Sequence, residues 1–365
     1  MQHPSGVNRK DQHVSLANQQ YHAASHPDFA ETRFVHHSLP ESCLQDRQLA
    51  TSVLGLDFQL PFFINAMTGG SQRTGAINQR LGILARETGL AIASGSVSAA
   101  LSDPSLSETF TILRKENPNG LIFANLGAHH GLENARRAVE LLEADALQIH
   151  VNVPQELAMP EGDRDFAGWL RNIEDIVAHL SVPVIVKEVG FGMSRETIQQ
   201  LAAIGVQAVD VSGRGGTDFA LIENSRRSPA ERYVALNEWG QSTPISMIEA
   251  MEVVDNHRPQ IIASGGIKNA MDITKSLALG ADLVGISSHM LQLVKDDQHM
   301  EQAIATVHHL KEELVVLMTA LRARTIADLR QTDLVLAPAV AHWCQMRGID
   351  ASKYANRSQA RCFLK

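Results

Sequence analysis

The sequence predicts an α/β protein, a (β/α)8 TIM barrel with an N-terminal arm and a C-terminal helical extension. Three observations point there. Apolar runs of strand length alternate with stretches of helical spacing, eight times between about residues 60 and 322, close to the ~250 residues such a barrel usually takes. The apolar runs stop at glycines or polar side chains, as strands do where they open into a site. No Gly-x-Gly-x-x-Gly opens the first helix, which together with the number of units argues against a doubly wound open sheet. The division expected is an arm over residues 1–45, a barrel over 46–322 and an extension over 323–365.

Residues 1–45 are polar and aperiodic apart from a short helix expected near Val14 to His26. The first strand, Pro61 to Ile64, runs into Met67-Thr68-Gly69-Gly70, and helical spacing follows from Asn78 to Thr88 (Ile77, Leu81, Leu84, Ala85). Leu90 to Ser96 is the second strand, with a helix from about Ser105 to Lys115. Gly120 to Gly127 is the third, followed by a helix from Leu132 to Glu143. In the fourth, Leu147, Ile149 and Val151 alternate with Gln148, His150 and Asn152. Pro154 then ends it, since proline cannot donate to a sheet ladder. His150, Asn152, Gln155 and Glu156 therefore gather at the carboxyl end, the face that carries the active site in parallel barrels. A helix is expected around Trp169 to Leu180. The fifth strand, Pro183 to Glu188, stops at Lys187 and Glu188 and precedes a helix from Arg195 to Ile204. The sixth, Gln207 to Ser212, leads into a polar insertion reaching about Thr243, then a helix from Ile245 to Val254. Strands at Gln260 and Ala281 flank a helix from Ala270 to Leu279. From His299 a long helix (Ile304, Val307, Leu310, Leu314, Leu317, Leu321) closes the barrel, with surplus apolar surface for subunit contact, before an Ala-rich segment.

Composition narrows the function. Apolar residues reach 44%, enough for a large core, while the longest apolar runs fall well short of the roughly 20 residues that span a bilayer. The amino terminus has no apolar h-region, so no secretory signal is read. Cys43, Cys344 and Cys362 are few, odd in number and widely separated, which argues against a disulfide framework or a zinc site and fits a reducing cytoplasm. A net charge of −8 without a long basic run argues against nucleic acid.

The polar strand ends carry the chemistry. Ser212-Gly-Arg-Gly-Gly-Thr217, Ser264-Gly265-Gly266-Ile-Lys268 and Gly285-Ile-Ser287-Ser288 end three successive strands. Glycines let backbone N–H groups approach a phosphate closely, and the loops after strands seven and eight are a common phosphate site. Thr68, Ser94, Ser96, Asn125 and Lys187 suit a flat heteroaromatic ring across the mouth. A lysine cation beside the N1–C2=O edge of a flavin would stabilise the anionic reduced ring. The alternative is Lys187 paired with Glu188 or Asp210 and no ligand. Arg9-Lys10 beside His13 reads either as a diphosphate clamp, with a guanidinium fork and an ammonium point charge, or as a solvated tail.

In order along the chain, Arg9-Lys10-Asp11-x-His13, Met67-Thr68-Gly69-Gly70, Ala93-Ser-Gly-Ser96, His150-x-Asn152-x-x-Gln155-Glu156, Val186-Lys187-Glu188-Val-Gly-x-Gly192, Ser212-Gly-x-Gly-Gly-Thr217 and Ser264-Gly265-Gly266-Ile267 resemble the type 2, FMN-dependent isopentenyl-diphosphate delta-isomerases. Ser-Gly-Gly-Ile is shared with many FMN barrels; the arm motif and His-x-Asn-x-x-Gln-Glu are specific to the family. The resemblance reaches about residue 330. It implies interconversion of isopentenyl and dimethylallyl diphosphate with reduced FMN as acid–base cofactor, Mg²⁺ on the diphosphate, NADPH as a reductant, and a homo-oligomer, tetramer or octamer. Carried over by position, Met67, Thr68, Gly69, Ser96, Asn125, Lys187, Ser212 and Thr217 hold FMN, with Gly265, Gly266, Lys268, Ser287 and Ser288 in its phosphate loops. Arg9, Lys10, His13, His150, Asn152 and Gln155 line the substrate, His150, Asn152, Gln155 and Lys187 being the catalytic candidates, and Glu156 holds Mg²⁺. The arm is then a lid. Two departures stand out: Val97-Ser98 where many relatives carry Gln-Arg, and Lys268 where many carry Arg.

Two redox rivals on the same scaffold fit less well. A 2-hydroxy-acid oxidase would show His-Gly-Gly-Arg near the sixth and seventh strands, where Gly213 to Thr217 has no His. A nucleotide dehydrogenase needs a cysteine on a barrel loop, and none is there. A non-catalytic flavin-binding scaffold would not need the arm motif or the Gln155-Glu156 pair.

Overall fold

A computed structural model describes residues 9–253, 258–295 and 299–358; Val254 and Cys362 lie outside them. Eight short strands are hydrogen-bonded in parallel around a closed barrel: β1 (Phe62–Ile64), β2 (Ile92–Ala93), β3 (Ile122–Gly127), β4 (Ala146–His150), β5 (Val184–Lys187), β6 (Ala208–Asp210), β7 (Gln260–Ala263) and β8 (Leu283–Ile286). Each pairs with its sequence neighbours and β8 closes on β1, in the register Val284 opposite Phe62.

The period of two along a strand sets what faces inward. Phe63, Ala93, Phe123, Ala146, Ile185, Ala208, Ile262 and Leu283 form one apolar cluster inside the barrel. Val53 and Phe58, from the hairpin Thr51–Val53 and Leu56–Phe58, plug it from below. Two residues further along, on the same faces, stand Asn65, Asn125, Gln148, Lys187, Asp210 and Ser264, all buried. Alternate residues such as Leu147, Ile149, Val186, Val209 and Ile261 point outward into the larger core shared with the helices. The barrel is apolar at its floor and polar from its middle upward.

Several elements differ from the sequence expectation, each for a local reason. The arm helix spans Arg9–Gln20 rather than Val14 to His26, and the His26 side chain instead accepts from the Asp28 N–H to start the short helix Pro27–Ala30. The helix after β1 begins at Gln72, where Ser71 and Thr74 form a capping box that outweighs the weak spacing there. The strand β4 ends at His150. Pro154 sits in the first turn of a helix, Val153–Ala158, where its missing N–H costs nothing. The helix Phe219–Ser225 stands within the polar insertion, capped by Asp218. The long helix is Met300–Ala320, and among the described residues no helix is long and apolar enough to cross a membrane.

The carboxyl-terminal segment is tied back to the amino-terminal region and to a helix of the barrel. Leu334–Val335 pairs antiparallel with Arg33–Phe34. The helix Pro338–Met346 packs on Thr243–Met251 through the fully buried Glu249. Its carboxylate accepts from Trp343 Nε1 at 2.8 Å and from Arg347 Nε and a terminal guanidinium nitrogen at 2.8 and 3.0 Å. Burial pushes the Glu249 carboxyl up, but these donors more than offset it and hold it below its ordinary value. Arg347→Ala removes two donors from that buried carboxylate and leaves it Trp343 and the Arg195 N–H, so it is expected to destabilise the fold by about 1–3 kcal/mol, read as a lower Tm. Glu196→Gln, removing the exposed second partner of Arg347, should shift Tm little.

Candidate functional site

A cavity of about 490 Å³ opens at the carboxyl ends of the strands, within the size range of small-molecule and cofactor sites. Its base is the upper polar layer of the barrel, and its roof is the arm helix, which contributes Arg9, Lys10, His13, Val14 and Ala17.

The arm is held in place by its own polar contacts. Gln20 Nε2 donates to the Asp218 carbonyl at 3.3 Å, and its Oε1 accepts from the Asp218 N–H at 2.9 Å. His13 Nε2 lies 2.9 Å from Oε1 of Glu223, a carboxylate with no exposed surface. The same oxygen accepts from Gln155 Nε2 at 3.2 Å, and Arg226 donates to the other at 2.5 Å. Burial alone would raise the Glu223 carboxyl; the His13 and Arg226 contacts instead bring it down to about 2. Lys10 is lowered to about 8 by burial and by the adjacent Arg9 charge.

Beneath the arm, Asn152 Nδ2 donates to Gln155 Oε1 at 3.1 Å and to Glu156 Oε1 at 2.9 Å, which binds the three side chains into one unit. The second Glu156 oxygen accepts from the Asp163 N–H at 3.0 Å. His150 Nδ1 is 2.9 Å from Asn125 Oδ1. Burial, with the charges of Lys187 and Lys10, pushes His150 down to about 3, so its ring is neutral at pH 7. Lys187 donates to the Glu188 carbonyl at 2.5 Å. The Glu188 carboxylate is itself taken up by the N–H groups of Val189, Gly190 and Phe191, with burial raising it to about 7. Among the described residues no carboxylate lies within ion-pair distance of Lys187, so the paired-lysine alternative is not what the structure contains.

The opposite wall is backbone. Gly265 and Gly266 have φ of 91° and 78°, in the left-handed region. A methyl group at Gly216 would stand 2.9 Å from the Gly266 nitrogen. This glycine wall, with the Ser287 and Ser288 hydroxyls also lining the cavity, has the donor chemistry a phosphate needs.

Of the residues expected from sequence, Met67, Thr68, Ser96, Asn125, His150, Asn152, Gln155, Glu156, Lys187, Ser212, Thr217, Gly265, Gly266, Ser287 and Ser288 line this cavity with Arg9, Lys10 and His13. Gly69 and Lys268 do not. Gly69 lies against Phe110, whose ring a Cβ would strike at 2.0 Å. The Lys268 ammonium donates to the Ala24 carbonyl of the arm at 2.7 Å and is engaged there rather than on the cavity wall. The position lacking arginine is filled by polar, uncharged contacts: Ser98 Oγ is 2.8 Å from both Ser96 Oγ and His130 Nε2. Burial and the neighbouring His129 lower His130 to about 4, so it supplies no substitute cation at pH 7. Glu223, Asn65, Gln148 and Asp210 went unassigned from sequence. Gln148 and Asp210 could have been found by extending the period-two pattern one step below His150 and Ser212. Glu223 carries no such signal, standing alone in a polar insertion.

A sequence model of FMN-dependent dehydrogenases matches residues 122–336, more than half of the chain. An isopentenyl-diphosphate delta-isomerase of Streptomyces sp. (strain CL190) is 48% identical, covering 98% of this chain and 97% of that relative. The chain belongs to the type 2, FMN-dependent isopentenyl-diphosphate delta-isomerase family. A family member from Staphylococcus epidermidis is likewise 48% identical over 94% of this chain and 97% of its own. The family fold is shared more widely. A flavocytochrome b2 variant with pyruvate bound superposes with a TM-score of 0.61 at 19% identity, covering 89% of this chain and 78% of that one. A mandelate oxidase variant with 2-hydroxy-phenylacetamide gives 0.59 at 16%, covering 89% and 90%. At such identities the likeness is one of fold alone.

Glu223 is the contact through which the arm meets the family's Gln155, and its depressed pKa gives the interaction a sign. Its contribution is complete above the unfolded-state value and is lost as pH falls through about 2. Glu223→Gln should cost about 1–3 kcal/mol at neutral pH. The Tm gap between variant and parent should then narrow as pH drops from about 5 towards 2.

Proposed function

We propose that this protein interconverts isopentenyl and dimethylallyl diphosphate, with reduced FMN in the barrel mouth, Mg²⁺ on the diphosphate and NADPH or an equivalent reductant priming the flavin. One observation carries the reading. The arm cations Arg9 and Lys10, with His13, close over the Asn152-Gln155-Glu156 unit in a single cavity whose far wall is glycine backbone.

The residues present fit the cofactor. Asn125, Thr68, Ser96 and Lys187 would hold the ring system, and the Gly213 to Thr217 turn, Gly265, Gly266, Ser287 and Ser288 its phosphate. Bound and reduced, FMN supplies a proton at N5 and a stabilised anion at N1, so a double bond can be transposed with no net redox change. The protein's own groups do the rest. Lys187, on the cavity wall, would offer its cation to the anionic reduced ring. Neutral His150 can accept a hydrogen bond without adding charge. Arg9 and Lys10 bind the diphosphate, and the arm helix excludes water from a cation-like reacting carbon skeleton. Lys10, lowered to about 8, regains its full charge when a diphosphate is beside it. Glu156 offers one carboxylate to Mg²⁺, which characteristically keeps waters and shares its shell with substrate phosphates. The exposed Tyr233, Val234 and Trp239 of the polar insertion suit burial between copies in a homo-oligomer.

The test is direct: purified protein with FMN, NADPH, Mg²⁺ and isopentenyl diphosphate should form dimethylallyl diphosphate. Failure to take up FMN, or product formed equally well without it, would overturn the reading. Two neighbours divide the labour. Glu156→Gln should raise the Mg²⁺ concentration for half-maximal rate by on the order of 10- to 100-fold. Gln155→Ala should lower kcat and leave that requirement nearly unchanged. A reversed pattern would show that the roles given to Gln155 and Glu156 are wrong.

A further inference from the structure

We propose that Asp210, acting through Asn65, Gln148 and Asn125, fixes the proton of His150 on Nδ1 and keeps its Nε2 as a hydrogen-bond acceptor on the cavity wall. The four side chains form an unbroken run across the barrel. Asn65 Nδ2 donates to Asp210 Oδ2 at 2.7 Å, and Gln148 Nε2 donates to Asn65 Oδ1 at 3.0 Å. Asn125 Nδ2 donates to Gln148 Oε1 at 3.2 Å, and Asn125 Oδ1 is 2.9 Å from His150 Nδ1.

The direction of this run follows from which groups can only accept or only donate. Asp210 takes the Ser264 hydroxyl at 2.6 Å and the Ser212 N–H at 3.2 Å on Oδ1, so it accepts at both oxygens. Asn65 is oriented twice over: its Nδ2 faces that carboxylate, and its Oδ1 faces the Ala66 N–H at 2.8 Å. Gln148 must then donate towards Asn65 and accept from Asn125. Asn125 in turn shows its oxygen to His150, and the ring nitrogen opposite it has to carry the proton. All three amides point the same way, aligned from the Asp210 carboxylate, which has no exposed surface, with the Ala66 N–H fixing Asn65 in the same sense. Burial beside the Lys187 and Lys10 charges keeps the ring neutral at pH 7, so a proton on Nδ1 leaves Nε2 bare. His150 therefore meets whatever occupies the cavity as an acceptor, and Asp210 acts on it as a positioning residue from three side chains away.

Histidine-¹⁵N-labelled protein, as isolated with its flavin, tests this through side-chain nitrogen–proton correlation spectra. The His150 signals are identified by their loss in His150→Gln. The parent should show a protonated Nδ1 and a pyridine-like Nε2. Asp210→Asn puts a donor where two acceptors stood, so it must face an NH₂ either to Asn65 or to the Ser212 N–H. With only the Ala66 N–H left to orient Asn65, the run is less firmly directed, and the Nε2–H tautomer should appear beside the first. Gln148→Met cuts the run in the middle while sparing every Asp210 contact, and should have the same effect even if Asp210→Asn does not fold. A parent already protonated on Nε2, or variants that keep Nδ1–H alone, would overturn the proposal. The tautomer is read without turnover, so its failure is distinct from failure of the isomerase reading.

Discussion

The constraint on which the rest of the molecule depends is that a closed parallel barrel has one inside, and everything pointing into it must be satisfied there. The floor meets this with Phe63, Phe123 and their apolar neighbours, sealed by the hairpin. One step up, six strands turn polar at once. Buried polar groups are tolerated only when bonded to one another. The Asp210–Asn65–Gln148–Asn125 run meets that demand, and in doing so builds a rigid polar base under the cavity. The same need for mutual satisfaction that stabilises the layer also orients the side chains facing the ligand.

Above that base, the site is completed by a segment far away in sequence. The arm helix carries adjacent cations at Arg9 and Lys10, a combination that repels itself when partly buried and lowers Lys10. The arm is kept over the mouth at two places: Gln20 and His13 meet Asp218 and Glu223 of one capped helix, and beyond the arm helix the Ala24 carbonyl takes Lys268. None of these anchors alone is strong. Glu223 matters most because it is fully buried and shared: one carboxylate holds the lid, Gln155 and Arg226 together.

The fold is held in common with flavocytochrome b2 and mandelate oxidase, yet fold does not decide chemistry. The chemistry of this chain lies in its own site: the cationic arm, a neutral histidine, and the amides Asn152 and Gln155 set between the carboxylates Glu156 and Glu223. These suit an anionic substrate whose carbon skeleton gains and loses protons.

The sequence by itself determined the barrel, because eight repeats of strand and helix with polar strand ends leave few other ways to bury the apolar faces. It also determined most of the cavity wall: Asn125, His150, Asn152, Gln155, Glu156 and Lys187 all sit at strand ends or in the turns that follow, where period and position are legible. It misjudged the helix starting at Gln72, which is set by a capping box rather than by spacing, and missed the short helix whose first turn takes up Pro154. Tertiary structure alone decided the rest, since these features are contacts between residues far apart in the chain. Lys268, read as a phosphate ligand, reaches the Ala24 carbonyl of the arm because the arm folds past it. Glu223 became the latch because a helix within a polar insertion buries it against His13. Asp210 could orient His150 only once closure of the barrel had brought β6, β1, β4 and β3 within hydrogen-bonding reach of one another.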